Sequence, residues 1–409
     1  MKKTAALFLA LTLALALGLC LSGCGGGARD KRDTEEVFAQ TDGETEEEEM
    51  FSGGSGTEAD PWVITTAAQL NAVRNHLGGH YRLSADIDLS GMNWTPIGTF
   101  IAAGESAKEQ GIPPARDAFS GTFDGGSHTI SNLVIEQPEG DAVGLFGCTS
   151  GAHIYNLTVD SATISGHQMT GAVVGYAYNS RLTAVSLTGN NTITGYNSKI
   201  GGAEGIGGVI GLGRESLIDS CAAKAAVMIP DGAGNAGILG GDLTTSSVIN
   251  GYATGTLTAG NKCCCLGAVA GRGFGSPEII NCTAENVRIT AGDHVRMVGA
   301  VAGCAGGYEE EAMEMAVTAV SRCRANNVEI STGNNASAVG ELIGGGFYLE
   351  ELAVSGAPYD VPAVFTIEDC SADVMINAEG ALEEEPTPEA DSPVNETERT
   401  GEEAEETAQ

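Results

Sequence analysis

Aromatic residues are scarce in this chain, and so are cations. Phe, Tyr and Trp make up 5 % of the 409 residues, too little bulk for the several cores into which a chain this long usually divides. Lys and Arg number 20 against 54 Asp and Glu, for a net charge of −34. That balance makes nucleic acid and anionic lipid headgroups poor partners. The six histidines include one i, i+4 pair, His76 and His80, and it encloses Leu-Gly-Gly rather than a glutamate. The zinc-peptidase pattern His-Glu-x-x-His is therefore absent. No Asp-Asp pair offers the clustered acids of polysaccharide cleavage. No second Cys or His cluster completes a zinc set for Cys263-Cys264-Cys265. No catalytic residue, metal ligand or cofactor is expected. Glycine, by contrast, is abundant: 59 residues, with no collagen-like period. A hydrophobic content of 42 % argues for a folded body.

The N-terminus carries an export signal. Lys2 and Lys3 precede an apolar stretch from Ala5 to Leu19, short for a membrane span. It runs into Leu21-Ser22-Gly23-Cys24, which is similar to the lipobox of bacterial lipoproteins. The similarity implies removal of residues 1–23, lipidation of Cys24 and a tether to the outer face of a bacterial membrane. No second apolar span and no C-terminal wall-sorting pattern is present, so a tether at one end is expected. Two acidic flanks bracket the body. Residues 25–49 hold ten acidic and three basic residues, and 379–409 hold twelve acidic residues against Arg399. Both are expected to be disordered. The organisation expected is a signal at 1–23, an acidic linker at 24–55, a folded domain at 56–378 and an acidic tail at 379–409.

The body repeats. A short apolar pattern closes on glycine at Gly147, Gly175, Gly211, Gly241, Gly271, Gly303 and Gly344. A second pattern, of the type Ile-x-Asn-Cys-x-Ala, follows each, its fourth position held by Leu157, Val185, Cys221, Gly251, Cys282, Cys323 and Cys370. The offsets between them are 10, 10, 10, 10, 11, 20 and 26. Equal offsets that grow at one place mark a solenoid with insertions at one corner. The anchors are short, β-branched and glycine-rich, so each turn is read as two or three short strands, with the glycine pattern as one of them. The fold class expected is all-β: a right-handed parallel β-helix, the hand taken from the general preference of crossovers. A capping helix is expected within 56–90, with Thr65 or Thr66 as N-cap, Leu70, Val73 and Leu77 on one face, and Tyr81–Leu89 as the first strand.

One ordered series of motifs carries a resemblance. Trp62 to Leu70, Tyr81 to Leu89, Trp94 to Gly98, Phe119 to Gly125, Ile130 to Leu133 and Gly144-Leu-Phe-Gly147 resemble the bacterial surface proteins with GLUG repeats. The resemblance spans most of 56–378. It implies a right-handed parallel β-helix and an adhesin-like role. Some members, peptidases that cleave immunoglobulin A, join such repeats to a zinc peptidase, whose motif this chain lacks.

Two features stand out as sites. The 304–322 and 345–369 connections are expanded at the same corner of adjacent turns. They carry Tyr308, Glu309, Glu310 and Met313, and Phe347, Tyr348 and Tyr359. These loops either bind a glycan or an extracellular protein or fold over the open end as a cap. Cys282, Cys323 and Cys370 fall on consecutive turns, where they either fill an interior column as buried thiols or pair as disulfides. An ice-binding face would need Thr-x-Thr on successive turns. Thr192-Ile-Thr194 and Thr256-Leu-Thr258 stand two turns apart. The function expected is a lipid-anchored, non-enzymatic adhesin or ligand-display module. A polysaccharide-active enzyme on the same scaffold, marked by a line of acids across neighbouring turns, and a structural spacer are the alternatives. The sequence leaves the oligomeric state open.

Overall fold

The computed structural model describes residues 50–99, 117–197, 204–275, 277–309, 314–346 and 365–378. The expected signal, Cys24, nearly all of the linker and the tail lie outside them. The described chain is a parallel β-helix with three sheets of stacked strands. Sheet I holds nineteen strands, and sheets II and III hold seven each.

One coil shows the plan. Leu217–Asp219 and Ala222–Ile229 lie in sheet I, Gly234–Gly237 in sheet II and Gly240–Thr244 in sheet III. Ser247–Ile249 then pairs with Leu217–Asp219 and opens the next coil. Four strands per coil exceed the two or three expected. The extra strand arises because sheet I is kinked at Ser220, whose φ of 55° is left-handed, and the residues on either side both remain paired. The equivalent residue is left-handed in coil after coil: Asn156, Ala184, Asn250, Asn281, Arg322 and Asp369.

The glycine pattern is not a strand. Gly267 ends the sheet II strand Cys264–Gly267, Ala268 and Val269 turn the corner, and Gly271 is the second residue of the sheet III strand Ala270–Phe274. At this corner the backbone folds sharply. A Cβ on Gly271 would run into the backbone of Ala236 in the preceding coil, and one on Gly303 into Leu266. Only glycine lets sheet III lie this close to sheet II.

The interior is a set of columns, one residue per coil. Ile135, Ile164, Ile193, Val227, Leu257, Ile289 and Ile330 stack in register and are fully buried. Such a bore has little room for rings, and the aromatics gather at the N-terminal end. Phe51 stacks on Trp62 at 5.0 Å, and Phe119 and Phe123 pack on Phe146 at 4.9 and 5.3 Å. Met50 and Phe51, placed in the acidic linker by sequence, thus belong to the folded body.

The expected cap helix is present as Ala67–Ala72 and continues as a 3-10 turn, Val73–Asn75. Thr66 caps it by accepting a hydrogen bond from the Gln69 N–H at 3.3 Å, and Leu70 and Val73 are buried. The first strand differs from expectation. It is Trp62–Ile64, ahead of the helix, and it pairs with His80–Leu83. Tyr81 to Leu89 is broken after Leu83, because Asp86 turns outward to accept a hydrogen bond from the Thr129 N–H at 2.9 Å.

Candidate functional site

The expanded corner is partly described. Sheet III strands Ala302–Ala305 and Ile343–Gly346 pair, as do the sheet I strands Thr318–Ser321 and Phe365–Glu368. Both insertions therefore leave and re-enter the solenoid at one corner on successive coils. In the first, Gly307–Glu309 pairs antiparallel with Glu314–Ala316, which places Tyr308 and Glu309 on a hairpin strand. Glu310, Met313, Phe347, Tyr348 and Tyr359 lie outside the described residues.

A different concavity lies on the outward face of sheet I, and the sequence reading missed it. Extra residues interrupt the second half of sheet I. The pairing slips between Leu187 and Asn191, between Ala253 and Gly255 against Ala284 and Val287, and between Ala325 and Val328. Gly189, Asn286 and Asn327, at these slips, have left-handed φ of 71°, 52° and 51°. Bulges of this kind bend the strand and push residues out of the sheet plane. Ala225, Ala226 and Gly255, on the two coils between, supply a low floor. The result is a furrow across five coils, about 20 Å long at one coil rise per strand spacing. Its two confluent stretches hold about 230 and 330 Å3 and share Gly255 and Thr256.

The lining sets amide, hydroxyl and charged groups among Gly, Ala and Val, and its two cations and one carboxylate balance only with Asp160, which lies outside it. Asn190, Thr192, Lys224 and Thr256 line the first stretch; Asn286, Arg288, Asn327 and Glu329 line the second. Asn327 donates from Nδ2 to Asn286 Oδ1 at 2.7 Å, and Arg288 pairs with Glu329 at 2.9 Å. Asp160 stands beside the first stretch. Hydrogen bonds from Thr188 and Ser161 hold its carboxyl below the ordinary value, with a smaller contribution from the Lys224 ammonium. Fixed amides and hydroxyls at one coil spacing can donate to and accept from a polar chain laid along the axis.

A line of acids and amides does run across neighbouring coils, and it bonds to the backbone. Asp231, Asn261, Asp293 and Asn334 form a ladder at the turn between sheets I and II. Each side-chain oxygen accepts the next residue's backbone N–H at 2.8 Å. Acids alternate with amides, so no two carboxylates are neighbours. Asp231 is held below the ordinary carboxyl value, chiefly by the Asn261 N–H. Among the described residues no group of three His, Cys, Asp or Glu is placed to hold a metal ion.

All nine cysteines of the described residues are free thiols. Those of the bend column are hydrogen-bonded in a repeating way. Cys221 donates to the carbonyls of Leu182 and Asp219, Cys282 to Val248 and Ile280, and Cys323 to Ile279 and Ser321, at 3.3–3.6 Å. Each thiol serves a carbonyl of the coil before and one of its own strand. In the Cys263-Cys264-Cys265 run simple alternation fails, because Cys265 is left-handed. Cys263 joins the main core, while the Cys265 thiol bonds with those of Cys264 and Cys304, close to Arg272. Arg272 and the buried carboxylate of Asp242 form an ion pair there.

No protein-family profile matches the chain. Segments of two known proteins are similar to it in sequence. Over 146 residues it is 35 % identical to Halomucin of Haloquadratum walsbyi, a match covering 34 % of this chain and 2 % of that protein. Over 141 residues it is 33 % identical to the "Putative Gly-rich membrane protein" of Evansella cellulosilytica, covering 32 % of this chain and 15 % of that one. The matches thus span a small part of either relative. Among solved structures, "a putative immunoglobulin A1 protease from Bacteroides ovatus" aligns with a TM-score of 0.48 at 19 % identity over 84 % of each chain. An "IgA1 Protease" aligns with a TM-score of 0.44 at 16 % identity, over 74 % of this chain and 21 % of that one.

Proposed function

We propose that this chain is a surface-displayed, non-enzymatic binding protein whose sheet I furrow holds an extended, uncharged polysaccharide. The observation that carries this reading is the furrow itself: five consecutive coils line it, four of them with amide, hydroxyl or paired charged groups and one with Lys224. Hydrogen bonding to sugar hydroxyls calls for such groups. Glu329 offsets Arg288 and Asp160, beside the lining, offsets Lys224, which favours a neutral chain in a protein of net −34. Glu329 is the sole carboxylate of the lining and is tied to Arg288, whereas glycoside hydrolysis uses two carboxyl groups across the bond. Lipidation at Cys24 and the acidic segment after it would tether the body outside the cell. The two sequence relatives, a halomucin and a membrane protein by name, accord with such a place.

The test is a neutral and acidic glycan array probed with the full chain, with Ala226→Trp and with residues 306–318 deleted. Ala226 faces outward, half-buried, on the furrow floor, so an indole there fills the furrow without entering the core. Binding to a neutral polysaccharide should fall at least about tenfold, roughly 1.4 kcal/mol, in Ala226→Trp with circular dichroism unchanged. It should survive the hairpin deletion. Binding that survives Ala226→Trp and vanishes with the hairpin would move the site to the expanded corner.

A further inference from the structure

We propose that Cys323 and Cys370 form a disulfide that staples the last described coil to the coil before it. The pairing of Ser321 with Glu368 and of Arg324 with Ser371 sets the two cysteines on successive coils. The Cys323 N–H donates to Cys370 Sγ at 3.2 Å, and the two thiols are themselves hydrogen-bonded. Stacked positions at one strand spacing fall within the Cα separation a disulfide spans.

Cys323 has a second thiol neighbour, Cys282, and the surroundings decide between them. Cys282 is fully buried, receives the Gly251 N–H at 3.4 Å and donates to two carbonyls. It also hydrogen-bonds Cys323. That bond is the largest cause lowering the Cys323 pKa, while the Cys282 pKa is raised. Cys282 is therefore a buried hydrogen-bond neighbour of the Cys323 thiol. Cys370 is only half-buried, donating to Glu368 O at 3.3 Å and to Val320 O at 3.7 Å, so a small oxidant reaches it before the buried Cys282 and Cys323.

The chemistry is thiol–disulfide exchange with a low-molecular-weight disulfide. The Cys370 thiolate attacks one sulfur of the small disulfide, whose S–S bond breaks and releases one small thiolate. The Cys323 thiolate then attacks Cys370 Sγ and expels the second. The protein loses two protons and two electrons, and the small disulfide is reduced to two thiols that take up those protons. An exported protein meets such oxidants. The staple closes a coil that, among the described residues, has a neighbour on one side only.

The experiment treats the full chain with oxidised glutathione, or with a phosphine reductant, and maps linked peptides by mass spectrometry. The expected product links Cys323 to Cys370 and raises the unfolding midpoint. Cys370→Ser loses both effects. Cys282→Ala still forms the link. A Cys282–Cys323 link would overturn the assignment, and so would a glutathione adduct stalled on Cys370. No link at all in a chain of native circular dichroism would do the same.

Discussion

At the residue scale the fold depends on two kinds of small residue. Glycine stands where two backbones meet, and cysteine where a bend leaves carbonyls in need of a donor inside the core. The two are not equally replaceable. Gly271→Ala puts a methyl group into the Ala236 backbone, with no side chain able to give way, and should cost about 3 kcal/mol. Gly232 is left-handed at φ 74° with open space where a Cβ would sit, and Asn accepts that conformation. Gly232→Asn should therefore cost under about 1 kcal/mol. Chemical denaturation of the two variants checks the contrast; equal losses would mean that the close approach at the corner is not what selects glycine. The cysteine column was legible in the sequence because the same local pattern, an aliphatic residue three positions before and an alanine two after, recurs around Cys221, Cys282, Cys323 and Cys370. The left-handed column in sheet II was not legible. Ala142, Met169, Gly205, Asn235, Cys265, Met297 and Ala338 all adopt positive φ there, and only Gly205 and Asn235 are residue types that announce it.

At the element scale, side-chain ladders join neighbouring coils at the sheet I bend, at the turn between sheets I and II and at the corner from sheet III. Asn281 donates to Asn250 at 2.7 Å, and Asn250 to Asp219 at 3.0 Å, along the sheet I bend. Buried Ser180, Ser216 and Ser246 do likewise at the corner from sheet III: the Ser180 and Ser216 N–H groups donate to the next serine's Oγ at 3.1 and 3.0 Å. The acidic rungs set the pH response. Asp86, Asp88, Asp160 and Asp231 all have pKa values held below 3.8 by hydrogen bonds in the fold. A depressed folded pKa contributes stability that is complete above the unfolded value, about 3.9, and is lost as pH falls through the folded value. The melting temperature should be level from neutral pH to about pH 4 and then drop. Asp231→Asn keeps an oxygen for the Asn261 N–H, so it should melt near wild type at neutral pH and lose less in acid. An acid profile identical to wild type would remove Asp231 from the account. Strand boundaries were the least legible feature at this scale. The glycine pattern looks like a strand because it is apolar, yet two of its residues turn a buried corner.

At the scale of the whole molecule, the solenoid was readable because one period recurs seven times and each recurrence constrains the others. The Thr-x-Thr pairs also fell as read: Thr192 and Thr256 share a column, with Ala226 between them. The furrow was not readable. Its residues lie about thirty positions apart, and its relief comes from bulges that shift pairing without altering the hydrophobic pattern. Aromatic and acidic residues at the 304–322 insertion drew attention because they are chemically conspicuous, whereas the furrow is built of Asn, Thr, Gly and Ala.

The most direct measurement is hydrogen–deuterium exchange of the full chain with and without a neutral polysaccharide selected on the array. Coil-by-coil binding predicts added protection in five separated segments, around 189–192, 224–226, 255–256, 286–288 and 327–329, with sheets II and III unchanged. Protection confined to the hairpin near 307–316, or none anywhere under saturating ligand, would contradict it.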